Sequence, residues 1–216
     1  MKTEQLIDLL TARAAPVSQR YFGRRYAAAV AAGTACALVA MLAALGPLGP
    51  RHDFAVAMDH PMFWVKLAFA AGMATLGIAG AWRVSIPGRP VRGVWQALAI
   101  VAGSVWLIAA ITLFEAAPAA RTALVLGSTW RVCPWLIAGL SIPVFIAIAW
   151  FVRRMAPTHP RRAGAMAGLA SGATATLIYS FHCPELEAPF FATWYLIGML
   201  LPTLVGWALG ERLFRW

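Results

Sequence analysis

Six long apolar stretches divide the chain, at about residues 26–46, 63–82, 94–114, 135–152, 163–181 and 190–210. Each is close to the roughly 20 residues that carry a helix across a bilayer. Apolar and polar positions do not alternate inside them, as the strands of a membrane barrel require. Open chain would leave backbone groups unpaired in hydrocarbon, so helices are expected. The pattern therefore predicts an all-α polytopic membrane protein, a bundle of six transmembrane helices. Small residues such as Gly72, Gly77 and Gly80, or Gly164, Gly168 and Gly172, allow close helix approach. Pro143 and Pro202 fall inside the fourth and sixth spans and predict kinks there.

The polar residues between the stretches set the direction. Lys2, Arg13, Arg20, Arg24 and Arg25 precede the first span. Arg83, Arg89 and Arg92 follow the second, Arg153, Arg154, Arg161 and Arg162 the fourth, and Arg212 and Arg215 the sixth. These are fourteen of the eighteen Lys and Arg residues. By the positive-inside rule they are cytoplasmic, and so are both termini. The outer loops keep Arg51, Arg121 and Arg131 and five of the eight acidic residues. Tryptophans such as Trp64, Trp82, Trp95, Trp130 and Trp135 sit near the span ends, as expected of interfacial rings.

Composition agrees. The 216 residues are 61% hydrophobic and 12% charged, where soluble domains carry about 25% charged residues. The net charge of +10 does not imply nucleic acid, because the arginines punctuate apolar segments and form no single stripe. No direct nucleic-acid contact is expected. The first stretch is followed by five more and has no small-residue cleavage site, so it does not read as a removable signal peptide. The organisation is a cytoplasmic segment at residues 1–25, a membrane domain at 26–210 and a cytoplasmic tail at 211–216. Within the first segment, residues 3–10 read as a short amphipathic helix, with Thr3 as N-cap, Leu6, Ile7 and Leu10 on one face, and Pro16 beyond its end. Such a face suits a groove on a partner protein better than anionic lipid, since the helix carries Glu4 and Asp8.

Two Cys-Pro pairs carry the candidate chemistry: Cys133-Pro134 before the fourth span and Cys183-Pro184 after the fifth. Both are expected at the outer water interface. The intervening spans form an antiparallel hairpin, which brings its outer ends together, within reach of the ~4.4–6.8 Å Cα separation of a disulfide. Proline favours the first helical position, so Cys133 is expected at an N-cap, where the helix dipole stabilises a thiolate. Arg131 adds charge beside it. Pro184 is expected to do the same for Cys183, with Glu185 and Glu187 in the next helix's first turn, and His182 is a neighbouring base or ligand. Three readings stay open: a permanent disulfide staple, a redox- or metal-responsive pair, and unrelated cysteines. A zinc site from Cys133, Cys183, His182 and either His52 or His60 is chemically reasonable. Cys36, in mid-span, reads as a small buried apolar residue.

Lys66, one turn into the second span, is a functional candidate by its position, although snorkelling to the outer interface, beside Asp59 or Asp53, is the simpler expectation. Glu115 closes the third span and is expected to meet head groups or Arg121. His159 is expected in solvent. No span has an acidic residue near its middle, and no phosphate loop, paired-histidine motif or nucleophile–base pair is visible. An enzyme is therefore not expected.

These features together resemble the NrsF-type integral-membrane anti-sigma factors. The resemblance covers nearly the whole chain: the Thr3, Leu6, Ile7 amino terminus, the six spans, the segment from Trp130 to Pro134, and the segment from His182 and Glu185 to Trp194 and Tyr195. It implies a multi-pass protein of the bacterial inner membrane that holds an extracytoplasmic-function sigma factor inactive. Oxidant or heavy metal, met on the outer side by Cys133 and Cys183, releases it. The sigma-contact residues expected are Leu6, Ile7 and Leu10, helped by the arginine-rich loops. No cofactor is implied beyond transient heavy-metal or zinc binding at the two cysteines. The alternatives are a membrane thiol-disulfide oxidoreductase, which would want a second cysteine pair, and a small metal transporter, which would want polar residues along a pore.

Overall fold

The computed structural model describes residues 3–5, 19–44 and 54–215. Leu6, Ile7, Leu10 and His52 lie outside the described residues. All regular structure among the described residues is helical. After one turn at residues 3–5 come α1 (Gln19–Ala44), the short α2 (Phe54–Met58), α3 (Pro61–Val84), α4 (Arg92–Glu115), the short α5 (Pro118–Leu126), α6 (Cys133–Arg154), α7 (Pro160–Tyr179) and α8 (Ala188–Leu213).

Five of these, α1, α3, α4, α6 and α8, are long and apolar enough to cross a membrane. The fifth window of the sequence, now α7, is long enough at 20 residues. Its Gly, Ala, Ser and Thr content, however, leaves it less apolar than the others. Its place in the fold explains the difference. α7 is sheathed by α3, α6 and α8 and is buried along nearly its whole length. Small side chains let the sheath close in. A Cβ at Gly164 would collide with the carbonyl oxygen of Gly206, and one at Gly168 with that of Pro202. On the other flank, a Cβ at Gly77 of α3 would come within 2.9 Å of Ala170 Cα. The hydroxyls of Ser171, Thr174, Thr176 and Ser180 each donate to a carbonyl one turn back in α7, at 2.7–2.8 Å, so the buried helix leaves them satisfied.

The outer helices are inverted relative to a soluble protein. Ile100, Leu107 and Phe114 of α4 point outward, Phe114 at 86% exposure. Such a surface suits hydrocarbon, not water. Cys36 also lies on the exposed side of α1, so it belongs to the apolar exterior and not to the core. α1 begins at Gln19, and the expected boundary at residue 25 therefore falls inside a helix. Arg25 stacks over Tyr21 there, 5.1 Å from the ring centroid. Tyr26 then fixes α1 to α3 by donating to the Ile78 carbonyl at 2.7 Å. Pro143 and Pro202 sit inside continuous helices, and α1 closes onto α6 beside Pro143 through Gly33.

Chain direction sorts the molecule into two ends. α6 starts at Cys133 and ends at Arg154, and α7 starts at Pro160 and returns to Tyr179. The cysteine segments therefore share one end, and Arg153, Arg154, Arg161 and Arg162 share the other.

Candidate functional site

Two short irregular segments build the cysteine end. Residues 127–132 join α5 to α6, and residues 180–187 join α7 to α8. Gly127 opens the first with φ +54°, a left-handed geometry that glycine adopts without steric penalty. A Cβ there would meet the Phe190 ring at 2.7 Å and the Glu185 carboxylate at 2.8 Å. Beyond it, Ser128 donates both N–H and Oγ–H to Glu185 Oε1, at 2.7 and 2.6 Å. Trp130 stacks on Trp194 with centroids 5.3 Å apart, while Trp194 Nε1 donates to the Val125 carbonyl at 2.8 Å. The segment that leads to Cys133 is thus tied to the segment that carries Cys183 and to α8.

Both cysteines are fully buried free thiols, and their side chains are close neighbours. The hairpin of α6 and α7 does bring its ends together. The expectation of interface exposure is corrected: Phe190, Phe191, Tyr179 and Tyr195, all buried, wall the site off. Cap positions shift as well. Val132 is the N-cap of α6, so Cys133 and Pro134 occupy the first two helical positions. Pro184 does not open α8. That helix starts at Ala188 with Pro189 in its first turn and Glu187 as N-cap. The backbone around Pro184 is held instead by a side chain from another helix.

That side chain is Lys66. Its Nζ donates to the carbonyl oxygens of Cys183 and Glu185, 3.0 Å each, and the residue is 0% exposed. Snorkelling toward Asp59 is corrected: the ammonium turns inward, because two carbonyls of a non-helical linker lack helix partners and meet a lysine one turn inside α3. The cation that acts on both sulfurs is therefore Lys66. Arg131 stacks instead over Trp130, 5.1 Å from its centroid, and is exposed. The Cys183 thiol is pulled down to about 6, chiefly by the hydrogen bond from Cys133, with burial opposing and the Lys66 charge assisting.

His182 is half-buried, its ring 5.7 Å from that of Tyr179. Among the described residues no three His, Cys, Asp or Glu side chains converge on a metal position. The three-ligand set of Cys133, Cys183 and His182 is therefore not assembled, since the imidazole packs on a tyrosine. What remains for a soft metal is the thiol pair alone.

Sequence reasoning missed Tyr179, Ser128 and the inward turn of Lys66. Depth along a helix was legible in the sequence; the side of the helix that faces the protein was not. Two buried hydroxyls among the described residues lack a hydrogen-bond partner, Thr129 Oγ1 and Tyr195 Oη. The first is in the residue whose carbonyl accepts from Cys133 N–H at 3.0 Å, and the second lies beside the Cys183 sulfur.

The far end is different in kind. Arg83, Arg89, Arg92, His159 and Arg162 line a cavity of about 410 Å³ between the α3–α4 and α6–α7 connections. His159 is exposed, as expected, and is the N-cap residue of α7. Arg121 at the cysteine end donates Nε to the Ala116 carbonyl at 3.2 Å, not to Glu115.

No solved structure matches this chain. Among curated proteins, the chain is 46% identical to the "Probable anti-sigma-F factor NrsF" of Azospira oryzae, with both chains covered in full. It is 36% identical, again over both full lengths, to the "Anti-sigma-F factor NrsF" of Caulobacter vibrioides. Residues 10–216 match the family described as "NrsF: Negative regulator of sigma F", and the chain belongs to the NrsF family.

Proposed function

We propose that this chain is an anti-sigma factor of the bacterial inner membrane, crossing it six times with α7 as the sheathed fifth span and with both termini in the cytoplasm. It sequesters a sigma factor of the extracytoplasmic-function class at the arginine-bearing end, gripped by Leu6, Ile7 and Leu10 and by the cleft of Arg83, Arg92 and Arg162. Oxidant or a thiophilic metal at Cys133 and Cys183, on the periplasmic side, weakens that grip. Family membership and the relatives' names support the partner class, and the arginine distribution supports the orientation. The observation that carries the sensing half is the contact of two free thiols from separate segments at the end opposite the arginines.

Energetics favour a graded response. A disulfide supplies about 2–4 kcal/mol, whereas a full reversal of a two-state population takes about 5.5 kcal/mol. Thiol modification therefore biases the grip and does not abolish it. The test is co-purification of the sigma factor with the full chain from native membranes, with and without diamide, in the wild type and in Cys133→Ser and Cys183→Ser. Diamide should lower sigma recovery in the wild type only. Equal release from the serine variants, or undiminished recovery from the oxidised wild type, ends the reading.

A further inference from the structure

The arginines at the end opposite the cysteines fall into two groups. Arg154 packs over the Trp150 ring, 3.7 Å from its centroid. Arg161 pairs with Glu211 at 3.0 Å and lies over the Trp207 ring. Arg83, Arg89, Arg92 and Arg162 instead line the cavity of about 410 Å³, and among the described residues no carboxylate lines it with them. They reach it from separate segments: the last turn of α3, the α3–α4 connection, the start of α4 and the first turn of α7. The connection is a held turn. Ile86 N–H donates to the Arg83 carbonyl at 3.2 Å, and Arg89 N–H to the Ile86 carbonyl at 3.3 Å. Gly88, between them, takes the left-handed φ of +78°, and Arg83 Nη1 donates to the Pro90 carbonyl at 3.5 Å. Val91 and His159, the N-cap residues of α4 and α7, also line the cavity, and neither helix has a side-chain cap or an acid in its first turn. Two positive helix ends thus adjoin the four guanidinium groups.

We propose that this cavity is a binding site for a phosphate group, carried by an acidic phospholipid or by a free phosphate ester. Like charges gathered without a counter-charge repel one another, and an anion among them turns that repulsion into attraction. The cations are all arginines, whose planar fork presents two N–H donors to two phosphate oxygens at once. The volume falls within the ~300–1,000 Å³ of small-ligand sites. Val84, Ile86 and Val91 give the cavity an apolar wall, against which the carbon stem of a phosphate ester can rest. The site lies where α3, α4 and α7 begin or end. For helices of 20–24 residues that is the depth of lipid head groups. The inference goes beyond the sigma reading and couples to it: a sigma factor gripped by Arg83, Arg92 and Arg162 competes with the phosphate for the same donors.

The test uses the purified full chain in detergent with no sigma factor present. Retained lipid is counted by native mass spectrometry during titration with phosphatidylglycerol, with phosphatidylcholine as the zwitterionic control. Glycerol phosphate, titrated by calorimetry, is the lipid-free probe. The wild type should show one saturable site. The triple change Arg83→Gln, Arg92→Gln and Arg162→Gln should weaken it at least about tenfold, since charge-assisted bonds are lost. The triple change Arg153→Gln, Arg212→Gln and Arg215→Gln removes as much charge from exposed positions at the same end, outside the cavity, and should alter affinity less than about twofold. All six positions are exposed, so both variants should elute as folded protein. Comparable affinity for glycerol phosphate and for the lipid assigns a free ester, and a much tighter lipid assigns the head group; both uphold the site. Equal losses from the two triple variants, or no saturable binding of either probe by the wild type, overturn the proposal. Sigma capture is read in the co-purification experiment, so failure there leaves the phosphate site standing, and failure here leaves sigma capture standing.

Discussion

The two ends of this protein handle charge in opposite ways. At the cysteine end Lys66, a buried cation, is committed to two carbonyls, and Glu185 is committed to Ser128. At the other end, Arg92 and Arg162 are exposed and line an open cavity. A buried polar group tolerates one arrangement, because each missing partner leaves an unsolvated donor or acceptor. A solvated arginine tolerates many. One end is built to hold a single geometry; the other leaves its charges in the open.

The largest expected effect tests the frame that joins the ends. Gly168→Val places a side chain against the Pro202 carbonyl and should cost about 3 kcal/mol or more, the upper range of overpacking. Gly139→Val, with nothing within 4 Å of its Cβ position, should leave detergent melting temperatures nearly unchanged. Comparable losses from the two would break the account of α7 as a backbone-packed core.

Next comes Lys66→Met. It strands the carbonyls of Cys183 and Glu185 inside the protein, for a loss of about 1–3 kcal/mol read by chemical denaturation. The double change Arg92→Gln and Arg162→Gln should stay within about 0.5 kcal/mol of the wild type in the same assay. It should nonetheless reduce sigma capture. Equal destabilisation at both ends would erase the contrast between them.

The last contrast is in pH. The folded-state value for Cys183 is depressed to about 6, below the ordinary thiol value of about 8.5. Its contribution to stability is therefore fully present above about 8.5 and is lost as pH falls through 6. Melting temperature should climb between those limits in the wild type, and the climb should flatten in Cys183→Ser. An identical slope in that variant would show that other groups set it.

Legibility in the sequence followed what each helix faces. α4 is strongly apolar and points Ile100, Leu107 and Phe114 outward, so hydropathy found it at once. α7 is buried and correspondingly milder in composition, because close packing asks for small side chains and not greasy ones. Its length and its Gly164, Gly168 and Gly172 spacing were visible in the sequence; its central place was not. At the site, the juxtaposition of Cys133 and Cys183 followed from hairpin arithmetic. Their burial did not, since it depends on Phe190, Phe191, Tyr179 and Tyr195 closing from other segments. Lys66 was visible as an oddity, but its partners lie 117 and 119 residues away, beyond what local pattern can specify.

The glycine contacts of α7 have a mechanical consequence. Where Gly164 meets Gly206 and Gly168 meets Pro202, backbone rests on backbone, with no flexible side chain between to absorb displacement. α7 and α8 therefore cannot slide past each other and must tilt or shift as one body. At about 1.5 Å per residue, the 20 residues of α7 form a rod roughly 30 Å long. One tip is Tyr179, beside the sulfurs, and the other is Pro160, next to the arginine cleft. A push at the first tip has little compliance in which to dissipate before it reaches the second.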